Sequence, residues 1–313
     1  MKKYIVSFCS SGNRGNEEFW KLRQKRLNEN SLKNGNIDGI FSWNGEKLKK
    51  TDFYKNNRNI LDSSRGAGYW AWKPYIILDS LSKIDNGDFI IYYDVGSKRT
   101  NFQINTDINP LIEWACQNNN GILSGAYRPD TLNRRYTKRD CFYYMDCDEE
   151  KYWEHPQILA TWSIWQKNEL SMNIISDWLN FCKDHRIITD VQNQCGLSNF
   201  DGFVDHRHDQ SILTNIFIKY GLRCYNNTIS SGKNINPFIR MVELDNFCLS
   251  KFGCDFVTMI IDKKLHLIDD KKKINLLIDN TGYNSTGEFM HTKIDIDGSY
   301  QGYEIFDISE ILK

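Results

Sequence analysis

Residues Gly87-Asp88-Phe89-Ile90-Ile91-Tyr92-Tyr93-Asp94-Val95-Gly96-Ser97 constrain the fold of this chain more than any other stretch. Phe89 to Tyr93 is an unbroken apolar and aromatic run with turn formers on both sides, the pattern of a short strand buried on both faces. Such a strand suits the middle of a parallel sheet with helices on both sides. Asp94 then stands at its carboxyl end, the edge at which open α/β sheets take their ligands. A carboxylate there has two uses. It holds a hard divalent cation together with phosphate oxygens, or it caps the turn begun by Val95 and Gly96.

Upstream lies Arg65-Gly66-Ala67-Gly68-Tyr69-Trp70-Ala71-Trp72-Lys73-Pro74, a glycine-loosened loop crowded with aromatics. Gly66 and Gly68 let backbone amides approach a ligand, and Arg65 and Lys73 suit phosphate oxygens. Tyr69, Trp70 and Trp72 either stack on a base or sugar face or belong to the core. Pro74 fits the first turn of a helix whose buried stripe is Ile77, Leu78, Leu81 and Ile84, with Lys73 beside its positive end.

The rest of the chain alternates strands with helices, which argues for an α/β sheet. Residues 4–9 read as a strand followed by the small-residue loop 10–15. Residues 17–33 read as a helix with Phe19, Leu22 and Leu27 inward, and 37–43 as a second strand. Asn109-Pro110 opens a helix carrying Leu111, Ile112 and Trp114, and Ile122-Leu123 is another strand. Arg128, Arg134, Arg135, Lys138 and Arg139 form a basic loop, either a solvated face or a flap closing over an anion, and 137–140 has the spacing of a capping box. Residues 157–165 alternate like a strand, and Leu170, Ile174, Ile175, Trp178 and Cys182 recur at helical spacing.

A second constellation is His206-Arg207-His208-Asp209-Gln210-Ser211, directly ahead of a helix with Ile212, Leu213, Ile216, Phe217 and Tyr220 inward. Ordinary capping accounts for Asp209 in the first turn. A site accounts for the consecutive polar residues beside two histidines, which are either hydrogen-bonded structural groups or metal ligands.

Bulk properties exclude some classes. Forty bases balance forty acids, so no global field draws the chain to nucleic acid or an anionic bilayer. Nine cysteines lie singly, without paired spacing, so reduced thiols and a cytoplasmic location are expected. Neither a signal peptide nor a transmembrane segment is expected.

The Arg-Gly-x-Gly-Tyr-Trp-x-Trp-Lys-Pro block, the Gly-Asp-hydrophobic-Tyr-x-Asp-x-Gly-Ser block and the His-Arg-His-Asp-Gln-Ser block together resemble those of a group of bacterial and large-virus glycosyltransferases with the GT-A fold. The resemblance covers residues 1–230. It implies a Rossmann-like, mixed but mainly parallel sheet flanked by helices. Beyond it, short apolar runs alternate with Lys/Asp turns and glycines, which reads as a C-terminal α+β extension, 231–313, that packs on the first domain or mediates homo-oligomer assembly. The implied activity is hexosyl transfer from a nucleotide-diphosphate sugar, UDP favoured, to a saccharide or other hydroxyl acceptor in surface glycan synthesis, with retention of configuration. The resemblance gives Arg65, Tyr69, Trp72, Lys73, Asp94, Gly96 and Ser97 to the donor. It gives Asp94 to a divalent cation, Mn or Mg, for which His208 or His206 is the candidate further ligand, and it sets Asp209 on the donor-sugar hydroxyls and Gln210 at the anomeric carbon.

One position departs from the pattern: GT-A enzymes end the central strand in Asp-x-Asp, and Gly96 stands here in place of the second acid. Two further classes stay open. A sugar-phosphate nucleotidyltransferase shares the sheet and acid-held metal but wants a Gly-rich Lys/Arg signature that 10–15 matches poorly. A non-catalytic saccharide-binding protein explains the aromatics but not a pairing of Asp94 with Asp209.

Overall fold

A computed structural model describes residues 1–10, 17–96, 104, 107–126 and 131–223, with the strand segments 225–226, 289–294 and 300–306. Its strands are β1 (Lys3–Cys9), β2 (Gly39–Asn44), β3 (Phe89–Tyr93), β4 (Ile122–Leu123), β5 (Gly125–Ala126), β6 (Trp162–Gln166) and β7 (Tyr225–Asn226), then the hairpin β8 (Phe289–Ile294) and β9 (Tyr300–Phe306). The main sheet has the order β2-β1-β3-β6-β4, which puts β3 at its centre. β1 runs parallel to β2 and β3, whereas β6 runs antiparallel to both β3 and β4. The protein is therefore α/β with a mixed five-stranded sheet, β6 being the strand that runs against the rest. A separate short ladder joins β5 to β7 in parallel.

Helices cover the sheet because both its faces are apolar. Alternate residues of the strands, Val6, Phe8, Ile90, Tyr92, Ile122 and Trp165, share one core with Ile76, Ile77 and Leu81 of the helix Trp72–Ser82. The same core takes Ile174, Ile175 and Trp178 of the helix Glu169–Cys182, and Ile212, Leu213 and Ile216 of the helix Asp209–Lys219. The helix Glu17–Asn34 lies against β1 and β2, where Gln24 Nε2 donates to the Ser7 and Trp43 carbonyls, each at 3.0 Å.

That last contact corrects an expectation. Phe19 and Leu22 point outward, 38% and 47% exposed, while Trp20, Gln24, Leu27, Asn28 and Ser31 are the buried residues. The inward face carries amides and hydroxyls that satisfy strand backbone, so apolar spacing alone misreads it.

The capping box at 137–140 does not form. Thr137 Oγ1 donates to Asn133 Oδ1 instead, and Asp140 accepts from the Gln194 and Cys195 amides, each at 2.9 Å. The strand expected over 157–165 begins only at Trp162. The described part of the basic loop is tied down: Arg134 pairs with Glu154, Arg139 with Asp148, and buried Lys138 donates to the Val191 carbonyl at 2.7 Å. Arg128, the loop 11–16 and, β8 and β9 aside, most of 231–313 lie outside the described residues.

Candidate active site

The site forms where two helices of eleven residues begin beside the carboxyl end of the central strand. β3 delivers Asp94, whose backbone amide donates to the Thr161 carbonyl at 2.8 Å. The helix Trp72–Ser82 delivers Lys73 in its first turn, and the helix Asp209–Lys219 starts on Asp209. These side chains meet. Lys73 Nζ lies 2.9 Å from Asp209 Oδ2 and 3.7 Å from Asp94 Oδ1, and it donates to the Ala160 carbonyl at 2.8 Å.

Burial makes the arrangement electrostatically tense. Lys73 and Asp209 are 2% and 3% exposed, so both charges have left water. Burial, reinforced by Asp94 and opposed by Lys73, raises the Asp209 carboxyl to about 6. Burial pulls the Lys73 ammonium down, yet Asp209 and Asp94 outweigh it and hold it above its ordinary value. The pair is therefore ionic at neutral pH. Asp94 keeps a quarter of its side chain in solvent, and the Tyr92 hydroxyl donates to its Oδ1. Burial first, then Asp94, pushes that Tyr92 hydroxyl well up, so it remains a donor.

A second cluster adjoins the first through the peptide link between His208 and Asp209. Arg65 Nε donates to His208 Nε2 at 2.8 Å and lies 3.1 Å from Asp190 Oδ2. His208 Nδ1 bonds the Ile188 carbonyl at 2.7 Å, which requires the proton on Nδ1 and leaves Nε2 to accept. Burial lowers the His208 pKa, against the Ile188 hydrogen bond and Asp190. The Tyr69 and Trp70 rings pack on the imidazole, with centroids at 5.0 and 5.6 Å. His208 itself holds φ 53°, ψ −118°, a backbone state disfavoured for a residue with a Cβ.

The tryptophan loop is a left-handed turn. Gly66, Ala67, Gly68, Tyr69 and Trp70 all have positive φ. L-residues pay roughly 1–2 kcal/mol each in that region, so three non-glycines here store several. Glycine is required at two of the positions. A Cβ on Gly68 would lie 2.7 Å from Leu61 Cα, and one on Gly66 would enter the Trp70 ring. Half-buried Tyr69 lines a cleft of about 710 Å³ with Arg58, Asn59, Asp62, Ser63, His185 and Thr189.

Among residues expected at the donor, Lys73 and Asp94 therefore come together with Asp209, while Arg65 and Tyr69 join His208. Trp72 differs: its ring is buried, stacked on Phe8 at 3.9 Å, with Nε1 donating to the Gly66 carbonyl at 3.0 Å. It supports the loop from beneath. Gly96 follows the strand at φ 96°, and Ser97 lies outside the described residues. Gln210 is buried and donates to Gln157 Oε1 at 2.6 Å.

His208 commits both ring nitrogens to protein partners, and no group of three His, Cys, Asp or Glu side chains suited to a metal ion occurs among the described residues. As placed, His208 has no ring nitrogen left for the cation that was expected to join it to Asp94. No helix of the described residues is long and apolar enough to cross a membrane.

The sequence reading missed the segment that joins everything. Gln157 bonds Gln210, the Ile158 amide donates to Thr214 Oγ1 at 3.0 Å, the Ala160 carbonyl receives Lys73, and the Thr161 carbonyl receives the Asp94 amide. Its alternating pattern suggested only a core strand. A Gln at 157 and a Thr at 161 within that apolar pattern were the available signal. No family model, curated protein or solved structure matches the chain.

Proposed function

We propose that the protein is a glycosyltransferase that moves a sugar from a nucleotide-diphosphate sugar to a saccharide or other hydroxyl acceptor, using a GT-A type arrangement. One observation carries the reading: Asp94 and Asp209, far apart in the chain, converge on the Lys73 ammonium at the carboxyl edge of the central strand. Glycosyl transfer needs an anionic leaving group accommodated and a positive anomeric centre stabilised in one cleft. The amino ends of two helices beside that edge favour the diphosphate. The Asp209 carboxylate, ionised above about 6, supplies negative charge toward the sugar.

In this reading Lys73 fixes both carboxylates rather than gripping phosphate, because its ammonium is already shared among them and the Ala160 carbonyl. Asp94, the partly exposed acid, faces the leaving-group side. A Mn or Mg ion arriving with the diphosphate would find its protein oxygen there and would neutralise charge on the leaving group. Gln210 lies beside the anomeric carbon, and the cleft beside Tyr69 receives the acceptor.

Incubation with a panel of nucleotide sugars, with and without Mn, tests the reading. Release of nucleoside diphosphate is the expected result. Pyrophosphate release from a sugar phosphate and a nucleoside triphosphate would instead assign a nucleotidyltransferase, and saccharide binding without turnover a binding protein.

A further inference from the structure

The buried amides beside Gln210 extend the reading above to the kind of sugar transferred, and they rest on that reading. Gln157 has no solvent exposure. Its Nε2 lies within hydrogen-bond reach of four acceptors among which its two N–H bonds are shared: Asn133 Oδ1 (3.2 Å), the Tyr136 carbonyl (3.2 Å), Thr137 Oγ1 (3.1 Å) and Ser211 Oγ (3.3 Å). The two hydroxyls have their own protons engaged, Thr137 on Asn133 Oδ1 at 2.5 Å and Ser211 on the Tyr136 carbonyl at 2.7 Å. Asn133 cannot reverse its amide, because Nδ2 donates to the Tyr152 carbonyl at 3.0 Å and to Asn215 Oδ1 at 2.8 Å. Main-chain carbonyls only accept, so they anchor the direction of the whole chain of amides.

A reversed Gln157 would aim its oxygen at acceptors on every side. Its Oε1 is therefore held toward Gln210, whose Nε2 donates to it. Gln210 in turn has its NH2 drawn inward, and its carbonyl Oε1 meets no protein donor among the described residues. The other groups at this point have the same polarity. Asp209 and Asp94 are acceptors when ionised, and the Lys73 ammonium, 3% exposed at its side chain, is held by both and by a carbonyl.

We propose that Gln157 is a positioning residue that makes the donor-sugar pocket a surface of acceptors, and that this pocket takes a neutral, hydroxyl-bearing sugar and rejects one carrying a carboxylate. Sugar hydroxyls donate to Gln210 Oε1 and to the Asp209 carboxylate, while Asp94 keeps the leaving-group side. A uronate would set its carboxylate against Gln210 Oε1 and the Asp209 carboxylate, neither of which donates to it. Like charges held together in a desolvated contact repel strongly.

The test compares nucleoside diphosphate release from matched donors, UDP-glucose against UDP-glucuronate and UDP-galactose against UDP-galacturonate, by the wild type and by Gln157→Leu. The neutral donor should lead in kcat/KM by on the order of a hundredfold in the wild type. Gln157→Leu frees the Gln210 amide to turn, and the ratio should fall by about tenfold even where both rates drop, since a hydrogen-bond donor then faces the ligand. Equal use of uronate and neutral donors by the wild type overturns the proposal and leaves glycosyl transfer standing. A ratio unchanged in Gln157→Leu overturns the positioning role. Turnover of no nucleotide sugar at all overturns the reading beneath it. Should Gln157→Leu fail to fold, the wild-type ratio still decides the specificity claim.

Discussion

Lys73 shows how one side chain sets the character of the centre. Removing one partner of a buried ion pair leaves the other charge uncompensated, which typically costs about 3–5 kcal/mol. Lys73→Met is therefore expected to lower unfolding free energy by about that much in urea melts. Asp209→Asn, which keeps an acceptor for the ammonium, should lower it by less. A Lys73→Met variant as stable as the wild type would mean that the pair is not formed. The raised Asp209 pKa also sets a pH dependence. Between the ordinary 3.8 and about 6 the folded protein holds a proton there that the unfolded chain has released, so this group's contribution to stability falls as pH rises through that window. In the proposed glycosyl transfer Asp209 acts ionised, so kcat/KM is expected to drop below about pH 6. A profile flat down to pH 5 would contradict that role. Lys73 and Asp209 stand out in the sequence as charges beside apolar helices. Their partnership is not legible there, because it joins residues whose proximity only the sheet order creates. For Trp72 the sequence favoured core while keeping a ligand role open, and the stacking on Phe8 decides it.

At the level of elements, the left-handed turn 66–70 carries the most stored strain. Ala67 holds φ 52°, ψ 48°, which glycine adopts freely, so Ala67→Gly should stabilise the fold by about 1 kcal/mol. Gly68→Ala does the reverse: at φ +100° its Cβ would press on the Leu61 backbone. Loss of several °C in Tm and displacement of Tyr69 and Trp70 from His208 are expected, read by thermal melts and tryptophan fluorescence. A melt unchanged by Gly68→Ala would show that the turn relaxes without strain. β3 and the helix Asn109–Asn119 were readable from a bounded apolar run and from Pro110 near a helix start. The inward face of Glu17–Asn34 was not, because Gln24 and Asn28 serve strand backbone and hydroxyls in place of apolar packing. Glycine content announced a loop at 66–68, but not that five successive residues would wind left-handed.

Across the molecule, every candidate side chain described lies before β7 closes its ladder with β5. A chain ended after residue 230 is accordingly expected to keep its turnover per molecule, compared with the full chain at equal concentration. Loss of folding in that truncation would show that 231–313 completes the first domain. The α/β class was legible from the alternation of strands and helices. The antiparallel β6 was not, since a short buried strand reads the same in either direction, and with it the hub at 157–161 went unseen. The central claim is that Asp209, fixed by Lys73, faces the sugar of a nucleotide donor. The rate of nucleoside diphosphate release at saturating donor by Asp209→Asn against the wild type measures it most directly. A fall on the order of a hundredfold, with the fold retained, is the result predicted. Equal rates would contradict it.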